Sequence, residues 1–137
     1  MEVVLGYDIL IVCTGLELNW ELISGARDAL GRHGVCSIYT PELADYTWNC
    51  IQNVPASAKV VFTQPEPPYG FPFASHDVAC LAADELRRRK LLDSCRLHFM
   101  TAAAGPGSGQ TASGAPDRIM AGYGIRHHCY YQLVAVD

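Results

Sequence analysis

The run Tyr7-Asp8-Ile9-Leu10-Ile11-Val12-Cys13-Thr14-Gly15 constrains this chain more than any other stretch. Five apolar residues closed by Thr-Gly suit a strand buried on both faces of a parallel sheet. Gly15 would let the backbone pass close to a neighbour or a ligand. A strand of this kind needs partners on both edges, and the residues ahead of Tyr7 are too few to form a preceding strand and crossover helix. The expectation is a sheet that is incomplete at this point.

With 137 residues the chain can form one domain with a real core. A net charge of −4 with only 10 lysines and arginines excludes a nucleic-acid surface, because phosphate binding needs a clustered positive field. The single basic cluster, Arg87-Arg88-Arg89-Lys90, falls at the end of a predicted helix and reads as a solvated terminus opposing the carbonyl end of the dipole. No apolar run reaches the roughly 18 residues that cross a bilayer, and Met1-Glu2 opens without a basic leader. The six cysteines (13, 36, 50, 80, 95 and 129) form no C-x-x-C pair, which predicts reduced, mostly structural thiols in an intracellular, reducing compartment.

Leu16 to Leu30 predicts a helix broken at Ser24-Gly25 and closed by Gly31 and Gly34. Thr40-Pro41-Glu42 predicts a helix start, with a capping hydroxyl, proline at the first helical position and an acid in the first turn. Leu43, Tyr46, Thr47, Cys50 and Ile51 then make one buried stripe ending before Pro55. Strands are predicted at 59–63 and 96–100. Between them Ser75 caps a helix from about His76 to Arg89, with Val78, Leu81, Ala82 and Leu86 on its inner side. This is a βαβ unit with parallel strands. A last strand is predicted from Gln132 to Val136, and the Gly-rich stretch 102–114 is expected to be a mobile loop.

The turn after the first strand of the βαβ unit is where a dinucleotide fold presents its amides to a pyrophosphate. Here it reads Gln64-Pro65-Glu66-Pro67-Pro68-Tyr69-Gly70-Phe71-Pro72. Four prolines lack amide donors and Glu66 repels phosphate, so the turn suits a stiff apolar wall, either around a planar ligand or as a plain surface loop. Gly105-Pro106-Gly107-Ser108-Gly109 lacks the Lys-Ser/Thr of a phosphate loop. On a strand, His127 and Cys129 share a face while His128 does not, and no second pair has metal-ligand spacing. His76 and Asp77 at a helix start have the chemistry of an acid and a base, but capping is the simpler account.

Tyr7 to Leu16 resembles the strand and A-T-G turn of flavin-dependent, disulfide-reductase-like enzymes. Gly34-Val35-Cys36-Ser37-Ile38-Tyr39, Thr47-Trp48, Phe62-Thr63-Gln64-Pro65, Gly124-Ile125 and Leu133-Val134-Ala135-Val136-Asp137 more narrowly resemble the middle of sulfide:quinone oxidoreductases. The resemblance implies a protein that holds FAD, oxidises sulfide through a cysteine persulfide and passes electrons to quinone at a membrane face, mitochondrial or bacterial. It transfers only Thr14 and Gly15 as flavin contacts, with Cys13 in place of the usual alanine. It also places a redox cysteine where Phe71 stands, gives Cys80 no such role, and places near 105–122 a helix that glycine, serine and alanine are expected to replace in this chain. No G-x-G-x-x-G occurs in the chain. A second redox cysteine and the quinone pocket are expected to lie outside it.

The fold expected is therefore α/β: a small parallel sheet with a Rossmann-like βαβ unit, incomplete relative to the parent fold of two dinucleotide domains. Residues 1–15 are read as a remnant of the FAD-domain strand and turn, 16–58 as a helical connector, and 59–137 as the βαβ portion. The function expected is that of a truncated or diverged relative of sulfide:quinone oxidoreductase, inactive alone, with no catalytic or metal-ligating residue of its own. The alternative is a non-catalytic α/β module that pairs with a partner, or with itself, through an open sheet edge.

Overall fold

A computed structural model of the chain describes residues 3–13, 15, 17–65, 74–104 and 115–137. In chain order the elements are a 3-10 turn at Trp20–Leu22, α1 (Ala26–Ala29), α2 (Pro41–Gln52), β1 (Lys59–Gln64), α3 (Ala74–Arg88), a 3-10 turn at Leu92–Ser94, β2 (Arg96–Thr101), α4 (Ala115–Gly122) and β3 (Arg126–Cys129). The strands form one parallel sheet in the order β1-β2-β3, with Lys59 opposite Arg96 and His98 opposite Arg126. The architecture is the expected α/β one with a βαβ unit, extended by a second crossover.

Alternation along the strands gives the sheet two unlike faces. Leu97 and Phe99 of β2, with Ile125 at the entry to β3, meet Ala79, Ala83 and Leu86 of α3 and Met120 of α4 in one buried cluster. Both crossover helices therefore lie on the same face. The other face carries Lys59, Val61, Thr63, Arg96, His98, Met100, Arg126 and His128, and Val61 is exposed there.

Of the expected inner side of α3, Ala82 and Leu86 are buried and Val78 half-buried, but Leu81 is 62% exposed; alanines 79 and 83 complete the buried side, because small side chains let the helix lie close to the sheet. The helix begins at Ala74, so Ser75 lies within its first turn and is buried instead of standing before it as a cap. Its far end closes in a Schellman motif: the Leu91 amide donates to the Leu86 carbonyl at 2.9 Å and Lys90 takes the left-handed conformation. Arg89 of the basic cluster is not a free terminus. Its guanidinium donates to the carbonyls of Ile51 (3.3 Å) and Val54 (2.9 Å), tying the end of α2 to α3. Arg87 pairs with Asp84 and stacks over Tyr123 at 4.9 Å, joining α3 to the end of α4.

Helix α2 has the expected stripe, with Thr47 and Ile51 buried and Leu43, Tyr46 and Cys50 half-buried. Thr40 stands at its N-cap, yet its hydroxyl makes no capping bond, so Pro41 and the acid Glu42 carry the start. Three further expectations need correction. Residues 7–13 form no strand; Ile9, Leu10, Ile11 and Val12 are 82, 60, 79 and 69% exposed, because no described strand lies beside them. The last strand is Arg126–Cys129, whereas Leu133 to Val136 makes a single parallel bridge, Ala135 to Ser24. A helix does occupy the end of the 105–122 stretch: α4 ends in a Schellman motif with Gly124 at φ +71° and the Ile125 amide 3.0 Å from the Met120 carbonyl. Of the 102–114 loop, residues 105–114 lie outside the described residues, as does Phe71.

Candidate functional site

Open parallel sheets concentrate ligand chemistry at the carboxyl ends of their strands, where backbone groups leave the ladder. In this chain that rim comprises Gln64 of β1, Thr101 of β2, Cys129 of β3 and the first turn of α3. Gln64 and Thr101 are buried. The Ala102 amide donates to the Gln64 carbonyl at 3.3 Å and the Tyr131 amide to the Thr101 carbonyl at 2.9 Å. The Thr101 hydroxyl accepts from the Ala103 amide at 3.2 Å. The polar groups of the rim thus hold the chain ends of the strands in place.

Four of the five histidines gather on β2, β3 and α3. On the helix-covered face His76 lies with its ring centroid 4.6 Å from Phe99, and His127 meets the same ring edge-on at 5.0 Å. His76 is buried and its neighbour Asp77 exposed, so the fold does not bring them together as an acid and base. His127 and Cys129 share a face of β3, as the spacing predicts. Among the described residues no three histidine, cysteine or acidic side chains group to hold a metal.

On the open face His98 Nδ1 and His128 Nε2 share a hydrogen bond at 2.9 Å, and Tyr131 packs edge-on against His128. Only one of two bonded imidazoles can be the donor, so the pair holds at least one neutral ring. Desolvation lowers the titration of His98 below the ordinary histidine value, and the charges of His128, Arg126, Lys59 and Arg96 add to that. The unfolded chain therefore takes up this proton at a higher pH than the folded one. Stability falls as pH drops through the ordinary histidine range and levels off below the depressed folded value. The thermal midpoint is expected to decline from about pH 7.5 to about pH 5, and to decline less in His98→Gln. Parallel profiles for the two proteins would contradict this assignment.

Of the two residues carried over as flavin contacts, Thr14 lies outside the described residues. Gly15 adopts φ +76° on an exposed segment, and a Cβ placed on it would meet nothing within 4 Å. Among the described residues no cradle closes on the backbone there. Cys80, half-buried in α3, has its thiol pushed up by burial and by the charge of Asp77, which makes it a poor nucleophile. An open cleft of about 440 Å³ between residues 21–28 and Val134 carries no convergent set of reactive groups.

Sequence reasoning missed two side-chain pairs, His98 with His128 and Cys36 with Cys50. In each, one member comes from a distant element, so local spacing gives no signal. Burial, with Cys50 nearby, pushes the Cys36 thiol up to about 12, and Cys36 Sγ donates to the Gly34 carbonyl at 3.4 Å.

No protein-family model matches the chain. Mitochondrial sulfide:quinone oxidoreductase of Dictyostelium discoideum is 29% identical over 130 residues, 95% of this chain. A chain in the cryo-EM structure of the Tetrahymena thermophila mitochondrial ATP synthase F1Fo tetramer superposes with a TM-score of 0.60 at 20% identity, over 90% of this chain and 32% of that one, a likeness of fold alone. The chain spans only 29% of the length of the curated relative, so it is similar to one part of a mitochondrial sulfide:quinone oxidoreductase.

Proposed function

We propose that the chain is a diverged relative of sulfide:quinone oxidoreductase that supplies part of the flavoprotein scaffold, with no complete reaction centre in its 137 residues. The observation that carries this reading is the similarity over nearly the whole chain to one part of such an enzyme. The parallel sheet with both crossovers on one face is the architecture such a part requires. In the parent reaction FAD accepts electrons from sulfide and passes them to quinone. Thr14 and Gly15 are the positions proposed to face the flavin, and Phe71 replaces the cysteine that the resemblance places there. Disulfide chemistry needs a thiolate and a partner sulfur, so a phenyl ring at that position removes the step itself. Mitochondrial association is proposed from the same relative. No helix among the described residues is long and apolar enough to cross a membrane.

The test is sulfide-dependent reduction of a soluble quinone by the purified chain supplied with FAD. No rate above the protein-free control is expected, for the native chain or for Phe71→Cys. Turnover by the native chain would overturn the reading.

The exposed run Ile9 to Val12 favours a second reading, an α/β module that docks on a partner or on itself through unpaired backbone and apolar surface. Association that rises with concentration, and is lost when Ile9 and Ile11 are changed to lysine, would support it.

A further inference from the structure

A parallel sheet is ordinarily covered on both faces, and here α3 and α4 cover one while the other stays bare. The strand register sorts the side chains of the bare face into two halves. At its amino-terminal end Lys59 lies opposite Arg96, and Arg126 lies opposite His98, two residues further along β2. Lys59, Arg96 and Arg126 are exposed, and among the described residues none of the three is in an ion pair. The three strands contain no acidic residue. Toward the carboxyl end the face turns apolar, with Val61 exposed and Met100 half-buried. His98 and His128 hold one another by their hydrogen bond and leave the three cations unneutralised.

A surface of matching character lies on the same chain. Helix α2 contains no lysine or arginine. Its residues Glu42, Asp45, Trp48, Asn49 and Gln52 are all exposed, and they occupy a stripe about 120° wide opposite the buried Thr47 and Ile51. Among the described residues neither Glu42 nor Asp45 is in an ion pair. The carboxylates stand in the first turns and the indole follows them, the same order of charge and then apolar surface that the sheet face shows along its strands. A helix of this length runs about 18 Å and a strand such as β1 about 20 Å, so the two surfaces also match in extent.

From this complementarity we infer that the bare sheet face is a docking surface for α2 of a second copy of the chain. Glu42 and Asp45 lie over Lys59, Arg96 and Arg126, and Trp48 packs on Val61 and Met100. The net charge of −4 opposes an extended polyanion, so local pairing with a few carboxylates is the use these clustered cations fit. The contact joins two unlike surfaces, so each copy can both give its helix and receive one. It involves none of residues 9–12 and none of the positions proposed to face a flavin.

Sedimentation velocity of the full chain over a range of concentrations, at about 0.05 M and about 0.5 M NaCl, reads the association. The average mass should rise with concentration at low salt, and high salt should weaken the association because exposed ion pairs are screened. Glu42→Lys/Asp45→Lys and Arg96→Glu/Arg126→Glu should each weaken it about tenfold or more. An equimolar mixture of these two variants should associate again, since each then offers the charge that the other has lost, and this recovery also shows that both are folded. Trp48→Ala should weaken association with an unchanged far-UV circular dichroism spectrum. Ile9→Lys/Ile11→Lys should leave it unchanged. A chain that stays monomeric throughout, a charge-reversed mixture that stays apart, or association lost in Ile9→Lys/Ile11→Lys would overturn the proposal.

Discussion

Phe99→Ala is expected to lower folding stability by about 3–5 kcal/mol, enough to unfold a small domain of ordinary stability. Phe99 is the largest fully buried side chain among the described residues and sits mid-strand on β2. Its ring lies between His76 of α3 and His127 of β3 and touches the cluster formed by Leu86 and Met120. Truncation would open a cavity lined by two crossover helices and the neighbouring strand, and rigid strand backbones cannot collapse into it. Urea unfolding followed by far-UV circular dichroism measures the loss. Leu81→Ala, on the exposed side of α3, is the control and should stay within about 0.5 kcal/mol. Equal effects at the two positions would mean that α3 presents its other side to the sheet.

The second large effect is expected at Gly25, next to Ser24, whose backbone pairs with residues 134–136. The Ser24 amide donates to the Val134 carbonyl at 3.0 Å and the Val136 amide to the Ser24 carbonyl at 2.8 Å. A Cβ on Gly25 would fall inside the radius of the Val136 carbonyl oxygen, with the carbonyl carbon 3.3 Å away, and the residue is held at φ +75°. Gly25→Ala therefore incurs roughly 1–2 kcal/mol for the left-handed backbone and roughly 1–3 kcal/mol for the overlap, or else it releases residues 134–136. Proteolytic release of the C-terminal residues and a lowered unfolding midpoint are the expected signs. Gly122→Ala, at a helical position with open space, should instead stabilise by about 0.5–1 kcal/mol. A neutral Gly25→Ala would contradict the pairing of Ser24 with Ala135.

These two positions also show where the sequence was readable and where it was not. Val60 to Thr63 and Leu97 to Met100 alternate between a covered and an open face. Period-2 patterns between turn signals locate such strands from local information. Helix α2 was equally legible, because Pro41 starts it and its stripe is made of large residues. Helix α3 is legible with Ala82 and Leu86 on its inner side, but a large apolar residue such as Leu81 draws the pattern outward where alanines 79 and 83 approach the sheet. The histidine-rich β3 gave no apolar signal, whereas Leu133 to Val136 gave a strong one and makes a single bridge. Ile9 to Val12 shows the same limit: β-forming residues make a strand only where an edge receives them. In the candidate site, the position of the rim followed from the βαβ order. The Cys36–Cys50 and His98–His128 pairs depend on how distant elements dock, which spacing within one element cannot express.

The proposal of a diverged part of a flavoprotein scaffold that does not hold FAD tightly on its own has one decisive measurement. It is tested most directly by incubating the purified chain with excess FAD, removing free FAD by gel filtration and recording the visible spectrum of the protein peak. The account predicts a protein peak with far less than one flavin per chain, because the chain has no Gly-rich pyrophosphate turn and Gly15 lies on an exposed, unpaired segment. Stoichiometric flavin absorbance travelling with the chain would contradict it.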